Sequence, residues 1–419
     1  MEYKKYKENN INIYNVQTNK FKNAYIEVRF RDDVKNVDSP IRSFLLQLIG
    51  TTNSKYKTNR ELNIALEEIY DADIYTSTVR TGYIYTSCIG IDFLNPKYIK
   101  EKDYLKNVFN MLVDCIVYPH VKDGKWDEVV FQNNIDNFSV YIDRYKENPI
   151  DYTILESKKR LFNNSVVGTR VVGTKNDIKR ITPQSLYQEW QKMLENSCLD
   201  IIIVGDLPIE DIIEYIKNSP LKNNSPKDLN RFIINEEIKP YKTHTEGSDF
   251  NQTSMIMYYQ NKSLTNRERY YTGPLFRNIL GSGGLSDKLG NYLRMKNSLC
   301  YAYSCQMVIP DSYMFIGTSL SKENVNKAKE CIIKAMNDMK HGYITKTELM
   351  MHKSKFLNDI KLRQDDIYAI GNNYYNHELH EAPLYEEYEK EIDSITIDEI
   401  KAYAKKWTLT YLFILKERG

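Results

Sequence analysis

The chain has 419 residues, too many for one hydrophobic core, so two or more domains are expected. It is 42% hydrophobic and 27% charged, an ordinary globular composition, and 58 basic against 56 acidic residues leave a net charge of +2. That balance gives no electrostatic case for nucleic acid or an anionic membrane surface as a partner.

The N-terminal stretch MEYKKYKENNINIY has no apolar core, so no secretory signal is read there. The longest aliphatic run, Ile201-Ile202-Ile203-Val204, is far too short to span a membrane. The cysteines at 88, 115, 198, 300, 305 and 331 form no C-x-x-C pair, and buried free thiols in a reducing cytoplasm are the expectation.

Strand-like runs at 11–16 and 25–30 open the first half. In the second run Ile26, Val28 and Phe30 alternate with Glu27 and Arg29, the pattern of a half-buried strand. An apolar helix at 41–49 stops at Gly50, and an amphipathic helix at 58–70 carries Leu62, Ala65, Leu66 and Ile69 on one face. Strands follow at 74–79 and 83–93, then helices at 104–116, 126–145 and 152–162. Thr182 is placed to cap a helix with Pro183 at its first position, and the strand 199–204 closes the half.

A polar, Pro-containing stretch without periodicity, 218–227, is the linker candidate. The second half then repeats the first. A strand at 254–259 precedes a helix at 267–280 and the turn Gly281-Ser282-Gly283-Gly284. A further helix carries Leu285, Leu289 and Leu293, and β-forming residues follow at 299–303. The half ends as the first did, with an Ile-Thr start at 395–396, a helix through Tyr403 and Trp407, and an aliphatic strand at 411–415. These elements predict an α+β protein of two homologous domains, 1–215 and 231–419, joined by a linker at 216–230, each an antiparallel-rich sheet with helices packed on it.

The stretch 293–304, LRMKNSLCYAYS, sets Arg294 near a helix end and Tyr301 on the strand after it. Both side chains donate hydrogen bonds and can stabilise charge building on a carbonyl oxygen. Spacing alone favours a plain helix-to-strand connection with an exposed Arg and a half-buried Tyr. Gly281, Gly283 and Gly284 could present backbone N–H groups to a substrate, although G-x-G-G without Lys and Ser/Thr is no P-loop and a tight turn is the favoured reading. The histidine-bearing run His377-Glu378-Leu379-His380-Glu381 matches neither H-E-x-x-H nor H-x-x-E-H, and reads as a solvated polar stretch.

The order and spacing of 43–52 (SFLLQLIGTT), 58–74 (TNRELNIALEEIYDADI), 199–207 (LDIIIVGDL) and 293–304 resemble the M16 peptidases, the family of insulysin and the mitochondrial processing peptidase. The resemblance covers essentially the whole chain and is nearest to non-catalytic, YmfF-like bacterial members. It implies the M16/LuxS-like metallopeptidase fold. Active members carry H-x-x-E-H on a first-domain helix. Here Ser43 and Gln47 stand at the two histidine positions and Leu46 at that of the base, so no metal is expected in this chain. Gln132 and Asn133 lie near the place of the third ligand. Arg294 and Tyr301 fall on the family's Arg and Tyr. The resemblance thus implies a substrate-binding subunit of a heterodimeric zinc metallopeptidase acting on peptides, inactive alone, with zinc and H-x-x-E-H in the partner. The other reading it implies is a peptide-binding or scaffold pseudopeptidase with no part in proteolysis.

Overall fold

The structure is a computed structural model in which residues 1–418 are described. It divides into two compact units. The first holds Met1–Asp143, Arg170–Arg231 and Ile367–His380, and the second holds Arg144–Thr169, Phe232–Asp366 and the residues from Glu381 on.

The first unit is built on a six-stranded sheet. Its strands are β1 (Glu2–Glu8), β2 (Ile11–Gln17), β3 (Asn23–Asp33), β4 (Asp73–Thr81), β5 (Ile84–Leu94) and, after a two-residue hairpin of β6 (Val121–Lys122) and β7 (Lys125–Trp126), β8 (Cys198–Gly205). The order is β1-β2-β8-β3-β5-β4. Only β2 and β8 run parallel. Every residue of β8 is buried, as expected for an aliphatic strand covered on both faces.

Ile26, Val28 and Phe30 of β3 pack with Phe44, Leu45 and Leu48 of the helix Ser39–Ile49 and with Val108 and Leu112 of the helix Tyr104–Val117. Asp38 caps the first of these helices, and Pro40 sits in its first turn, where no N–H partner is needed. Arg42 anchors it from within. Its buried guanidinium donates to Glu189 at 2.9 Å and to Asp32 at 3.2 Å.

The other face of β3 differs from its sequence pattern. Glu27 and Arg29 alternate as read, but they are buried rather than solvated. The helix Ile367–His380, more than three hundred residues along the chain, belongs to this unit and covers them. Arg29 is 2.5 Å from Glu27 and donates to Asn372 at 2.6 Å. Arg31 and the Tyr375 hydroxyl both donate to the Asp200 carboxylate, at 2.6 and 2.8 Å. Each buried charge thus has a partner, as a dry face requires. Within this helix Glu378 pairs with Lys5 at 3.1 Å, and Glu381 just beyond it accepts from the Asn266 amide at 3.2 Å, so both acidic residues of the histidine-bearing run are engaged.

The second unit has a five-stranded sheet of β9 (Lys242–Ser248), β10 (Thr253–Gln260), β11 (Tyr303–Val308), β12 (Tyr313–Leu320) and β13 (Thr408–Glu417), ordered β11-β12-β10-β13-β9. Its parallel pair is β9 with β13. With β2, β3, β4, β5 and β8 matched to β9, β10, β11, β12 and β13, strand order and direction repeat the first unit. The edges β4 and β11 are therefore equivalent. The helix Pro149–Leu161, from the first half of the sequence, belongs here, with Ser157 Oγ and the Tyr258 hydroxyl 2.8 Å apart.

The boundaries read from the sequence, 1–215 and 231–419, are contiguous, whereas the compact units exchange the segments 144–169 and 367–380. Covering the second face of each sheet with a helix distant in sequence explains the exchange. Residues 219–241 contain no helix or strand.

Candidate functional site

In the second unit the glycine turn leads into a helix that is wound as a π-helix over Gly290–Met295. Its signature is the Lys296 N–H donating to the Asn291 carbonyl, five residues back, at 2.9 Å. The helix ends with Ser298 in the left-handed region at φ 51°, its N–H donating to the Arg294 carbonyl at 3.0 Å, while the Leu299 N–H reaches the Leu293 carbonyl at 2.8 Å. A residue other than glycine at this cap position carries strain. The reversal turns the chain back so that the Arg294 guanidinium carbon lies 5.7 Å from the centre of the Tyr301 ring. Tyr301 stands two residues before β11 rather than on it, and it is 89% exposed. Burying nothing, a ring so placed has no role in the core.

Tyr301 lines a pocket of about 780 Å³ at the end of the sheet. Its walls come from the residues leading into β11, the end of β12, Ile150, and Glu417 at the end of β13.

The glycine turn is organised from inside. The carboxylate of Asp287, fully buried, accepts from the N–H groups of Ser282 and Gly284 at 3.0 Å and of Gly290 at 2.7 Å. The Tyr303 hydroxyl donates to the same carboxylate at 2.6 Å. The amides of Ser282 and Gly284 are therefore spent on Asp287, and the turn offers no open cradle. Gly281 is required by packing, because a Cβ there would lie 2.6 Å from Leu289 and 2.9 Å from Cys305. Gly283 is required by its φ of 85°, and Gly284 is lightly contacted. The wrapping of the turn around Asp287 delays the helix, so Leu285 is 52% exposed while Leu289 and Leu293 are buried. Asp287, Gly290, Ser298 and Tyr303 escape sequence reading. Only the sequence DKLG, an acid three residues before a glycine, could have signalled that pairing.

In the first unit Ser43, Leu46 and Gln47 line a pocket of about 610 Å³ together with Ile74 and Thr76–Thr78 of the edge strand β4 and with Phe138 and Tyr141 of the helix Glu128–Asp143. The Ser43 hydroxyl is 3.3 Å from both the Tyr85 hydroxyl and the Val171 carbonyl. Burial lifts the Tyr85 phenol to about 12, so it stays neutral. Gln132 and Asn133 are exposed and do not line this pocket. A neutral hydroxyl, an amide and an isobutyl group are not the deprotonated N, O or S donors that zinc takes, so the residues at this position do not fit a zinc ion. Among the described residues no group of three or more His, Cys, Asp and Glu could hold a metal.

The repeat places Asn278 three residues before Gly281, as Gln47 stands three before Gly50. Asn278 Oδ1 is 2.8 Å from Nδ1 of His352, which is fully buried, and burial lowers the histidine's proton affinity. The second unit thus keeps a neutral polar pair at the place equivalent to the first unit's pocket.

Residues 180–356 match the peptidase M16 inactive domain. The match and the shared fold make the chain similar to the M16 peptidases, and Ser43, Leu46 and Gln47 are not zinc donors. It is 19% identical over 415 residues to a probable inactive metalloprotease, YmfF, of Bacillus subtilis, spanning 98% of this chain and 97% of that one. Among solved structures it is similar to a conserved protein from Enterococcus faecalis at TM-score 0.91 and 23% identity, covering 99% of both chains. It is also similar to a peptidase M16 inactive domain from Pseudomonas fluorescens at TM-score 0.83 and 14% identity, covering 100% of this chain and 98% of that one. Among the described residues no helix is long and apolar enough to cross a membrane.

Proposed function

We propose that this chain is the substrate-binding subunit of a heterodimeric M16 metallopeptidase that acts on peptides. One observation carries the reading: the zinc-ligand and general-base positions are occupied by side chains that cannot do that chemistry, while the half-buried Arg294 lies 5.7 Å from the exposed ring of Tyr301, which lines a pocket. The guanidinium and the phenol would donate to the oxygen of a peptide carbonyl. Their strength would grow as that oxygen takes on negative charge, which is the differential binding that lowers a barrier. The partner, carrying H-x-x-E-H, would supply the zinc chemistry and the attacking water. The edge strand β11 beside the pocket would align an extended substrate by main-chain pairing. The test is peptide cleavage by this chain mixed with its H-x-x-E-H partner, with and without Arg294→Ala.

A further inference from the structure

The pocket beside Tyr301 carries a charge pattern of its own. Among the residues that line it, Glu417 alone is charged. The remaining polar groups are neutral hydroxyls, a thiol and the amides of Asn251 and Gln252, and the apolar wall is Ile150, Leu299 and Leu320. Glu417 is partly buried, and its main chain is held by β13 and by its N–H donating to Thr253 Oγ1 at 3.3 Å. Among the described residues no cation pairs with its carboxylate. The adjacent Arg418 is turned to Asp249 at 3.0 Å and does not neutralise it. A strand glycine, Gly317, leaves room in the wall, where a Cβ would already stand 3.4 Å from Ile150. A partly desolvated carboxylate with no cation, at one end of a neutral pocket, selects a positive group. The volume of about 780 Å³ is ample for a long side chain.

We infer that this pocket is a specificity site that takes a lysine or arginine side chain of the peptide, with Glu417 receiving the cationic head and the neutral wall packing its aliphatic stem. The inference rests on the reading that a peptide crosses Arg294 and Tyr301, and it names the class of peptide preferred: extended, with a basic residue, and poor in acidic ones at that place. Long basic side chains suit such a pocket because their stems bury well while their heads need a polar end.

Two short fluorescein-labelled peptides on an alanine–threonine background, identical except for a central Lys or a central Glu, test it by fluorescence anisotropy on the full-length chain. The Lys peptide is expected to bind about tenfold more tightly than the Glu peptide, a difference of about 1.4 kcal/mol. Glu417→Gln, which leaves the main-chain bonds intact, should bring the two within about twofold, and Glu417→Lys should reverse the order. Equal binding of the two peptides to the unaltered chain, a preference that survives Glu417→Gln, or no binding of either peptide would each overturn the inference. The cleavage assay with Arg294→Ala separates the two ideas. If cleavage depends on Arg294 but Lys and Glu peptides are handled alike, the pocket assignment alone fails. If the Lys preference holds but Arg294 is without effect, the clamp fails and the pocket stands.

Discussion

The Tyr303 hydroxyl donates to the buried carboxylate of Asp287 at 2.6 Å, tying the first residue of β11 to the glycine turn that precedes the π-helix. Through this strut and three backbone amides, one carboxylate fixes both ends of the segment that carries Arg294 and Tyr301.

Removing that carboxylate should loosen the segment. Asp287→Ala leaves the Ser282, Gly284 and Gly290 amides without their acceptor, and a buried unpaired donor costs roughly 1–3 kcal/mol. A loss of about 3 kcal/mol in urea unfolding is expected, with faster hydrogen exchange across 282–304. Tyr303→Phe should cost less, about 1.5 kcal/mol, since it removes one bond to a charged acceptor. Unchanged exchange in Asp287→Ala would show that the turn is held by something else.

Gly371 tests the exchanged helix of the first unit. In an ordinary helix, Gly→Ala stabilises by up to about 1 kcal/mol. Here a Cβ would lie 1.8 Å from the Tyr25 hydroxyl and 2.9 Å from Val204. Gly371→Ala should therefore destabilise by about 2 kcal/mol through overpacking. Tyr25→Phe in the same chain should recover part of the loss by removing the clashing oxygen. A stabilising Gly371→Ala would mean that the helix does not sit on Tyr25.

The buried His352 should make stability fall in mild acid. Burial lowers its folded-state proton affinity, and the groups around it are Asn278, Asp287, and Glu348 and Lys355 of its own helix. The unfolded chain then binds the proton more readily than the folded one. Stability is complete above the unfolded value of about 6.5 and declines as pH drops below it toward the lowered folded value. Melting temperatures at pH 7.5 and 5.5 should differ more for the unaltered chain than for His352→Gln. An equal difference would show that His352 is not the group responsible.

The repeat of the two halves was legible because strand periodicity, the Ile-Thr helix starts and the aliphatic closing strands are local features. Within the two large sheets, β1, whose residues are charged and tyrosine-rich, and β9, which is polar and lies at the sheet edge, are not legible in the sequence. Edge strands bury little, so their sequences carry weak alternation. The burial of Glu27 and Arg29 is not legible either, since the covering helix comes from 367–380, more than three hundred residues along the chain. At the site, the family resemblance rather than the spacing singles out Arg294 and Tyr301, and in the structure the guanidinium carbon lies 5.7 Å from the ring centre. The pattern placed Tyr301 on a strand and half-buried, whereas it is exposed before the strand, because the left-handed turn at Ser298 shifts the start of β11. The glycines were read as a possible cradle. The acceptor that fills it, Asp287, is hinted at in the sequence only by the DKLG run.

The most direct test of the central claim is cleavage of a mixed peptide library by this chain together with the H-x-x-E-H chain proposed as its partner, with metal content measured on each component. The account predicts that this chain alone is inert and without stoichiometric zinc, and that the mixture cuts peptides. Arg294→Ala should lower that rate on the order of a hundredfold while leaving the melting temperature unchanged. A mixture no more active than the zinc-bearing chain alone, or a rate indifferent to Arg294→Ala, would contradict it.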